Sequence, residues 1–349
     1  MNISNSTQVL NPQIPNGILI VDKPQGITSH GVISRLRRAL GLKKIGHAGT
    51  LDPMATGLIV AGVGPMTRFL SYLVGLDKVY LATIRIGAAS STEDAEGEIS
   101  IDQAAIAAHN NGQSLREHLG LSPDALEQAI ETLRGNIEQV PSAVSAIKVD
   151  GKRAYQRVRD GEEVVLKARA VTIYEFSVLE QSDTNTTAAN FLDLEVRVHC
   201  SSGTYIRALA RDLGLHFGLG AHLIALRRTR VGPMAIEESH NLDEIVPAMV
   251  NGGAVLARQL FASIEVDDVE IRKIMHGQKL AYDEAARVRI SEFPARSWLN
   301  SEHSSAHPNA EEETQDAELP IAAVQGERLV AMLKIQGSAL HPETVFGAI

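Results

Sequence analysis

The chain has 349 residues, 44% of them hydrophobic, with 33 basic and 42 acidic side chains and a formal net charge of -9. That length exceeds one small core and points to two domains, and the ordinary hydrophobic fraction is that of a globular protein. The lone cysteine, Cys200, excludes an internal disulfide and a cysteine-based zinc site; it sits on the apolar phase of an alternating run and reads as a small core residue. The polar start, Met1 to Asn16, lacks the regions of a signal peptide. No uninterrupted apolar run is long enough to cross a bilayer, so a cytoplasmic protein with no membrane partner is expected.

Residues 1–16 read as a flexible N-terminus. Gly17 to Val21 then reads as a short buried strand that Pro24-Gln25-Gly26 ends with turn chemistry. Thr28 or Ser29 is placed to cap a helix in which Val32, Ile33, Leu36 and Leu40 repeat at helical spacing, while Arg35, Arg37 and Arg38 lie largely elsewhere on it. Val79 to Ile86, Val171 to Leu179 and Phe191 to Cys200 read as strands, the last with clean period-two alternation. Ser122-Pro123 begins a helix through Leu133, and Thr204 to Phe217 is a second helical segment. Ile101 to Gly120, rich in Ala, Asn, Gln and His, reads as a surface excursion. Strands and helices in this mixed order suggest an α+β domain.

The most informative segment is Gly46-His47-Ala48-Gly49-Thr50-Leu51-Asp52-Pro53-Met54-Ala55-Thr56-Gly57, which sets one carboxylate in a glycine-rich loop. An isolated Asp-Pro is ordinarily a turn. Here the glycines permit close backbone approach, and His47 and Thr50 bring polar side chains to a loop of the kind that carries binding chemistry. The loop resembles the catalytic motif of the TruB family of tRNA pseudouridine synthases. Gly17-Ile18-Leu19-Ile20-Val21-Asp22-Lys23-Pro24-Gln25-Gly26 is similar to that family's opening strand and Lys-Pro turn, and Asp77-Lys78-Val79-Tyr80 to its tyrosine segment. Cys200-Ser201-Ser202-Gly203-Thr204-Tyr205-Ile206-Arg207, with Gly220-Ala221-His222-Leu223 and Leu226-Arg227-Arg228-Thr229, resembles its arginine block.

The resemblance implies a mixed, mainly antiparallel catalytic sheet across residues 17–245. It also implies an isomerase that turns uridine 55 of the tRNA T loop into pseudouridine after flipping the base out of the folded RNA. That reaction needs no cofactor, redox equivalent or metal. Asp52 is implied as the nucleophile, Arg207 as the partner that fixes its direction, and Tyr80 as the ring that stacks on uracil and helps remove the C5 proton. His47 matches the position that inserts into the RNA, and Tyr205 and Leu226 match the pocket wall. Lys23 is counted with the RNA-contacting residues, although it and Pro24 suit support of the loop better. Lys148, Lys152 and Arg153 fall in Val140 to Tyr155, which resembles the family's RNA-gripping thumb. Ala48, Ser91 and Met234 depart from common family residues without removing a catalytic group.

The charge fits this once it is divided. After Met234 there are about 19 acids against about 9 bases, so the upstream part is nearly neutral. Its bases gather in three patches, Arg35 to Lys44, Lys148 to Arg159 and Arg227 to Arg230, read together as an RNA footprint. Val266 to Ala281 and Ile321 to Gln336 look like pieces of a small β-rich domain over 255–349, PUA-like by the same resemblance. Pro294 to Glu318 reads as a disordered insert, in which His303 and His307 are solvated rather than a metal pair. The expected partner is the T stem-loop of tRNA, bound by a monomer without guide RNA. An RNA-guided synthase and a non-catalytic tRNA-folding module are the alternatives.

Overall fold

The computed structural model describes residues 16–142, 144, 148–149, 152–153, 157, 166–292 and 320–347. The expected insert lies outside these residues, as does nearly all of the N-terminal segment. The body is one ten-stranded sheet. Its main path runs His240–Asn241, Gly17–Lys23, Thr56–Val63, Ala221–Val231, Lys78–Ile86, Asn190–Cys200, Arg169–Asn185, Gly135–Gln139. Two of these neighbours are parallel, Gly17–Lys23 with His240–Asn241 and Thr56–Val63 with Ala221–Val231; the others are antiparallel. The second parallel contact is brief, pairing only Arg227 with Thr56 and Arg228 with Gly57. The site lies beside this narrow join.

The helix Ser29–Ala39 begins where its cap places it, with Gly31 N–H donating to the Thr28 hydroxyl, and Val32, Ile33 and Leu36 bury against the sheet. In Asn190–Cys200, Leu192, Leu194, Val196, Val198 and Cys200 are all in the core, as the alternation requires. Two expectations change. Ile101 to Gly120 is no surface excursion: it forms helices Gln103–Asn110 and Leu115–Leu119, which bury Ala105, Ala108 and Leu115 in the main core. Small alanines let that helix lie close to the sheet, so the segment lacks the bulky stripe that marks a buried helix. Half of Val266 to Ala281 is the helix Asp268–Met275, capped by Asp267 and packed against a five-stranded sheet to which Leu280–Ala281 adds a strand.

That second sheet is ordered Ser263–Glu265, Ile321–Gln325, Arg328–Gln336, Ala339–Val345, Leu280–Ala281. It is joined to the first through a shared cluster in which Phe69 meets Phe346 and Phe261 edge-on, at centroid distances of 5.8 and 6.2 Å. Among the described residues no helix is long and apolar enough to cross a membrane.

Candidate active site

The Asp52 loop leaves the strand Ile45–Ala48 and enters Thr56–Val63, and its shape is held from four sides. Ser29, at the first turn of its helix, donates to Leu51 O and accepts from Leu51 N–H. Gly26 N–H donates to Pro53 O at 3.2 Å. The Lys23 ammonium donates to Pro53 O at 3.0 Å, to Pro24 O at 3.2 Å and to Ala55 O. Arg228 donates from Nη2 to Gly49 O at 3.0 Å and from Nε to Leu58 O at 2.8 Å. Gly57 has a φ of +101°, and a Cβ there would lie 2.2 Å from Arg228 O; only glycine allows this approach.

The loop delivers Asp52 to Arg207, with Oδ2 3.0 Å from Nε. The carboxylate is 36% exposed and the arginine 5%, so the charge that would react faces open space and its partner is locked behind it. Arg207 sits in the first turn of the helix Ile206–His216. Its other donors are engaged: Nη1 with Thr92 O at 2.8 Å and Ser142 Oγ at 3.1 Å, and Nη2 with Val144 O at 2.9 Å. Asp94, buried, stands 3.8 Å from the same Nε and accepts from Glu96 N–H. A guanidinium gripped at so many points has one orientation, and Asp52 takes its direction from it.

A cavity of about 380 Å³ opens in front of the pair, with Tyr80, Lys78, Tyr205, Leu226, Arg228 and Thr50 among the groups around it. Tyr80 is buried on the strand Lys78–Ile86, and burial raises its phenol, opposed chiefly by the Arg228 guanidinium. Tyr205 caps the Arg207 helix, and Gln139 fixes its backbone on both sides: Tyr205 N–H donates to Gln139 Oε1 at 2.8 Å, and Gln139 Nε2 donates to Tyr205 O at 3.1 Å. Lys78 donates to Val74 O at 2.8 Å, to Leu76 O and to Ser202 Oγ at 3.2 Å, and burial lowers it to about 8. A larger cavity, about 570 Å³, lies by the helix Pro123–Glu131. Its one cation, Arg134, is engaged by Glu127 and Glu131, which leaves it no comparable chemistry.

Asp52, Tyr80, Arg207, Tyr205 and Leu226 thus share one cavity. His47 does not line it. It is half-buried on the strand Ile45–Ala48, lowered by burial and then by Arg228 and His30, with Nδ1 unpartnered. Lys23 requires correction as an RNA-contacting residue, because it is fully buried with its protons on loop carbonyls. The patch Arg227 to Arg230 is divided: Arg228 is 1% exposed and Arg230 pairs with Asp77 at 2.9 Å, while Arg227 stays partly exposed and pairs with Asp22 at 2.6 Å. Of the first patch, Arg38, Lys43 and Lys44 remain exposed, while Arg35 pairs with Asp243. Lys148 and Val149 pair with Arg153 and Lys152 as a short hairpin, and the side chains of Lys148, Lys152 and Arg153 lie outside the described residues.

Asp94, Gln139, Ser29 and the placement of Arg228 were missed from sequence. The serine left a signal, since a helix-starting residue next to a catalytic loop is a candidate brace. The other three act through pairings far apart in the chain.

An Asp–Arg pair thus stands at the mouth of a cavity beside a ten-stranded mixed sheet. The chain overlays a Cbf5-Nop10-Gar1 complex with a TM-score of 0.61 at 24% identity, covering 96% of this chain and 86% of that one. It overlays an H/ACA RNP bound to a substrate RNA containing 2'-deoxyuridine with a TM-score of 0.60 at 22% identity, over 96% and 86%. At those identities the likeness concerns the fold. Residues 37–206 match the TruB family pseudouridylate synthase N-terminal domain, and residues 207–265 the tRNA pseudouridylate synthase B C-terminal domain. The tRNA pseudouridine synthase B of Leifsonia xyli subsp. xyli is 50% identical over 270 residues, 76% of this chain and 84% of that protein. That of Thermobifida fusca is 46% identical over 276 residues, 76% and 87%. The chain belongs to the TruB family of pseudouridylate synthases, and it is an isomerase.

Proposed function

We propose that this isomerase converts uridine 55 in the T loop of tRNA to pseudouridine, with Asp52 as the nucleophile, Arg207 as its orienting partner and Tyr80 as the group that stacks on the base and takes its C5 proton. The observation that carries the reading is the half-open Asp52 carboxylate, 3.0 Å from the buried Arg207, at a cavity walled by Tyr80. A cavity of about 380 Å³ has room for a single base and none for a duplex, so the uridine must leave its stack to enter. There the N1–C1′ bond breaks, the base turns, C5 joins C1′ and the C5 proton departs.

The tRNA substrate is supported by the names of the relatives, which share about half their residues with this chain over most of its length. We read the chain as a monomer acting in the cytoplasm without guide RNA. The exposed Arg38, Lys43 and Lys44 and the hairpin at Lys148 to Arg153 are the places where it would hold phosphates. On the same reading residues 17–245 carry the chemistry and 255–349 add RNA contacts.

The test is tritium release from C5-labelled, unmodified tRNA transcript by the purified protein with no other RNA added. Wild-type protein should release tritium from position 55. Asp52→Asn should release none while binding the transcript within about tenfold, or roughly 1.4 kcal/mol. Turnover by a contamination-free Asp52→Asn protein would remove Asp52 from the mechanism, and no release by wild type would favour a tRNA-folding module.

A further inference from the structure

Arg228 is among the largest fully buried side chains of the protein, and among the described residues no carboxylate pairs with it within 4.0 Å. A buried cation without a counter-ion is expensive to keep. Two carbonyls, Leu58 O and Gly49 O, hold its Nε and Nη2 and aim the guanidinium. It lies directly across from Tyr80 in the register between the strands Ala221–Val231 and Lys78–Ile86, so both side chains leave the same face of the sheet as close neighbours. Both border the cavity that holds Asp52. The guanidinium's positive charge is the chief influence opposing the effect of burial on the Tyr80 phenol.

We propose that Arg228 is a positioning residue for the isomerisation: its guanidinium directs the Tyr80 oxygen at the base and supplies the positive charge that lets that oxygen act as a phenolate. The inference rests on the reading of Tyr80 as the group that takes the C5 proton. For a base that leaves C1′ as its N1 anion and returns through C5, the intermediate carries hydrogen on C5 and a C6=N1 double bond. The C5–H bond then breaks and its electron pair becomes the C5=C6 double bond. The C6=N1 pair moves to N1, which takes a proton from solvent, and the C5 proton lands on the Tyr80 phenolate. The phenol formed returns that proton to solvent before the next turnover. Burial, with Asp52 beside it, raises the phenol, and the fixed cation is the charge that works against this. The other ionisable groups that face Tyr80 and Arg228 are Asp52 on its loop, His47 on the strand before that loop, Lys78 on the tyrosine's own strand and Cys200 on the next one.

The experiment is single-turnover tritium release from C5-labelled tRNA across pH for wild type, Arg228→Lys and Arg228→Met, with tRNA affinity and circular dichroism as controls of folding. Arg228→Met should slow release about tenfold at neutral pH and displace the rising limb of the profile upward by about one pH unit, with Arg228→Lys in between. In a Tyr80→Phe background the yield of C5-joined, still-protonated nucleotide should be the same with and without Arg228→Met. If Arg228→Met does not fold, Arg228→Gln, which keeps a donor for the Gly49 carbonyl, is read in its place. An unmoved limb, or equal slowing of base rearrangement in both backgrounds, would overturn the inference and leave Arg228 a loop brace. Wild-type release by Tyr80→Phe would instead overturn the reading of Tyr80, whatever Arg228 does.

Discussion

The two sheets of this protein are built on different terms. The core of the C-terminal sheet is apolar, with Ile264, Ile271, Ile274, Ile321, Val330, Leu333 and Leu340 at its centre and Ser263 the one buried polar residue of the region among the described residues. The large sheet buries Lys23, Asp77, Lys78, Asp94, Asp193, His199, Arg207 and Arg228. Buried charge is destabilising unless it is paired and hydrogen-bonded, and here it gathers largely at the end of the sheet where Asp52 emerges. On the proposed function the expense falls where the reaction calls for fixed charges, and the C-terminal sheet, which lines none of the Asp52 cavity, avoids it.

The largest test of this contrast is Lys23→Met. The change leaves Ala55 O buried without its donor and takes from Pro53 O one of its two donors, the Gly26 N–H remaining; an unsatisfied buried group costs about 1–3 kcal/mol. Loss of about 3 kcal/mol is expected in denaturant melts, along with loss of turnover from a slack Asp52 loop. Stability within about 1 kcal/mol of wild type would show that solvent replaces the ammonium freely. Next is Leu333→Ala on the other side. Leu333 is fully buried in the C-terminal core, and the cavity left should cost about 3 kcal/mol. Turnover at saturating tRNA and 25 °C should stay within about twofold, because no charge near Asp52 moves. A large fall in turnover of the folded protein would mean that the shared aromatic cluster at Phe69, Phe261 and Phe346 transmits strain to the site.

A smaller effect separates positioning from burial. Asp94→Asn keeps the shape beside Arg207 and removes a charge 3.8 Å from its Nε. Arg207 would then keep Asp52 as its one carboxylate partner among the described residues, and the loss of the second charge should lower kcat by about tenfold to thirtyfold, about 1.4–2 kcal/mol, with the KM for tRNA little changed. Unchanged kcat would make Asp94 a loop residue that serves Thr92 and Glu96.

How much of this was legible in the sequence follows the same division. Local signals were readable: the glycine-rich Asp52 loop, the Thr28 cap and the alternation of Asn190–Cys200 all rest on neighbours in the chain. The strand Ala221–Val231 was not recognised, because Arg227, Arg228 and Arg230 look like a surface patch until Asp22 and Asp77 arrive from more than a hundred residues away. Lys23 misled for the same reason, since its acceptors are backbone carbonyls that carry no residue signature. Asp94 was passed over beside Ser91, and only the fold sets it against Arg207. The division drawn at 245–255 has a comparable difficulty, for the cluster that includes Met66, Phe69, Leu256 and Phe261 draws on both sides of it.

The smallest effect tests whether a buried charge at the cavity is still felt as a burden. Lys78 is lowered to about 8 from 10.5, with burial the largest cause. Its folded value therefore lies below its unfolded value. Between the two the unfolded chain binds more protons, so stability should rise with pH, the reverse of a lysine that gains a counter-ion. From pH 7 to 9 the gain should be about 1 kcal/mol. Cys200 works against it, since burial pushes that thiol up to about 12 and the unfolded chain ionises first at alkaline pH. The comparison is therefore wild type against Lys78→Met, in which Cys200 contributes to both and largely cancels. Denaturant midpoints should favour wild type progressively less at pH 7 than at pH 9. Parallel curves across that range would mean that Val74 O, Leu76 O and Ser202 Oγ already hold the ammonium as well as water does, and the contrast between the sheets would then be one of geometry rather than of free energy.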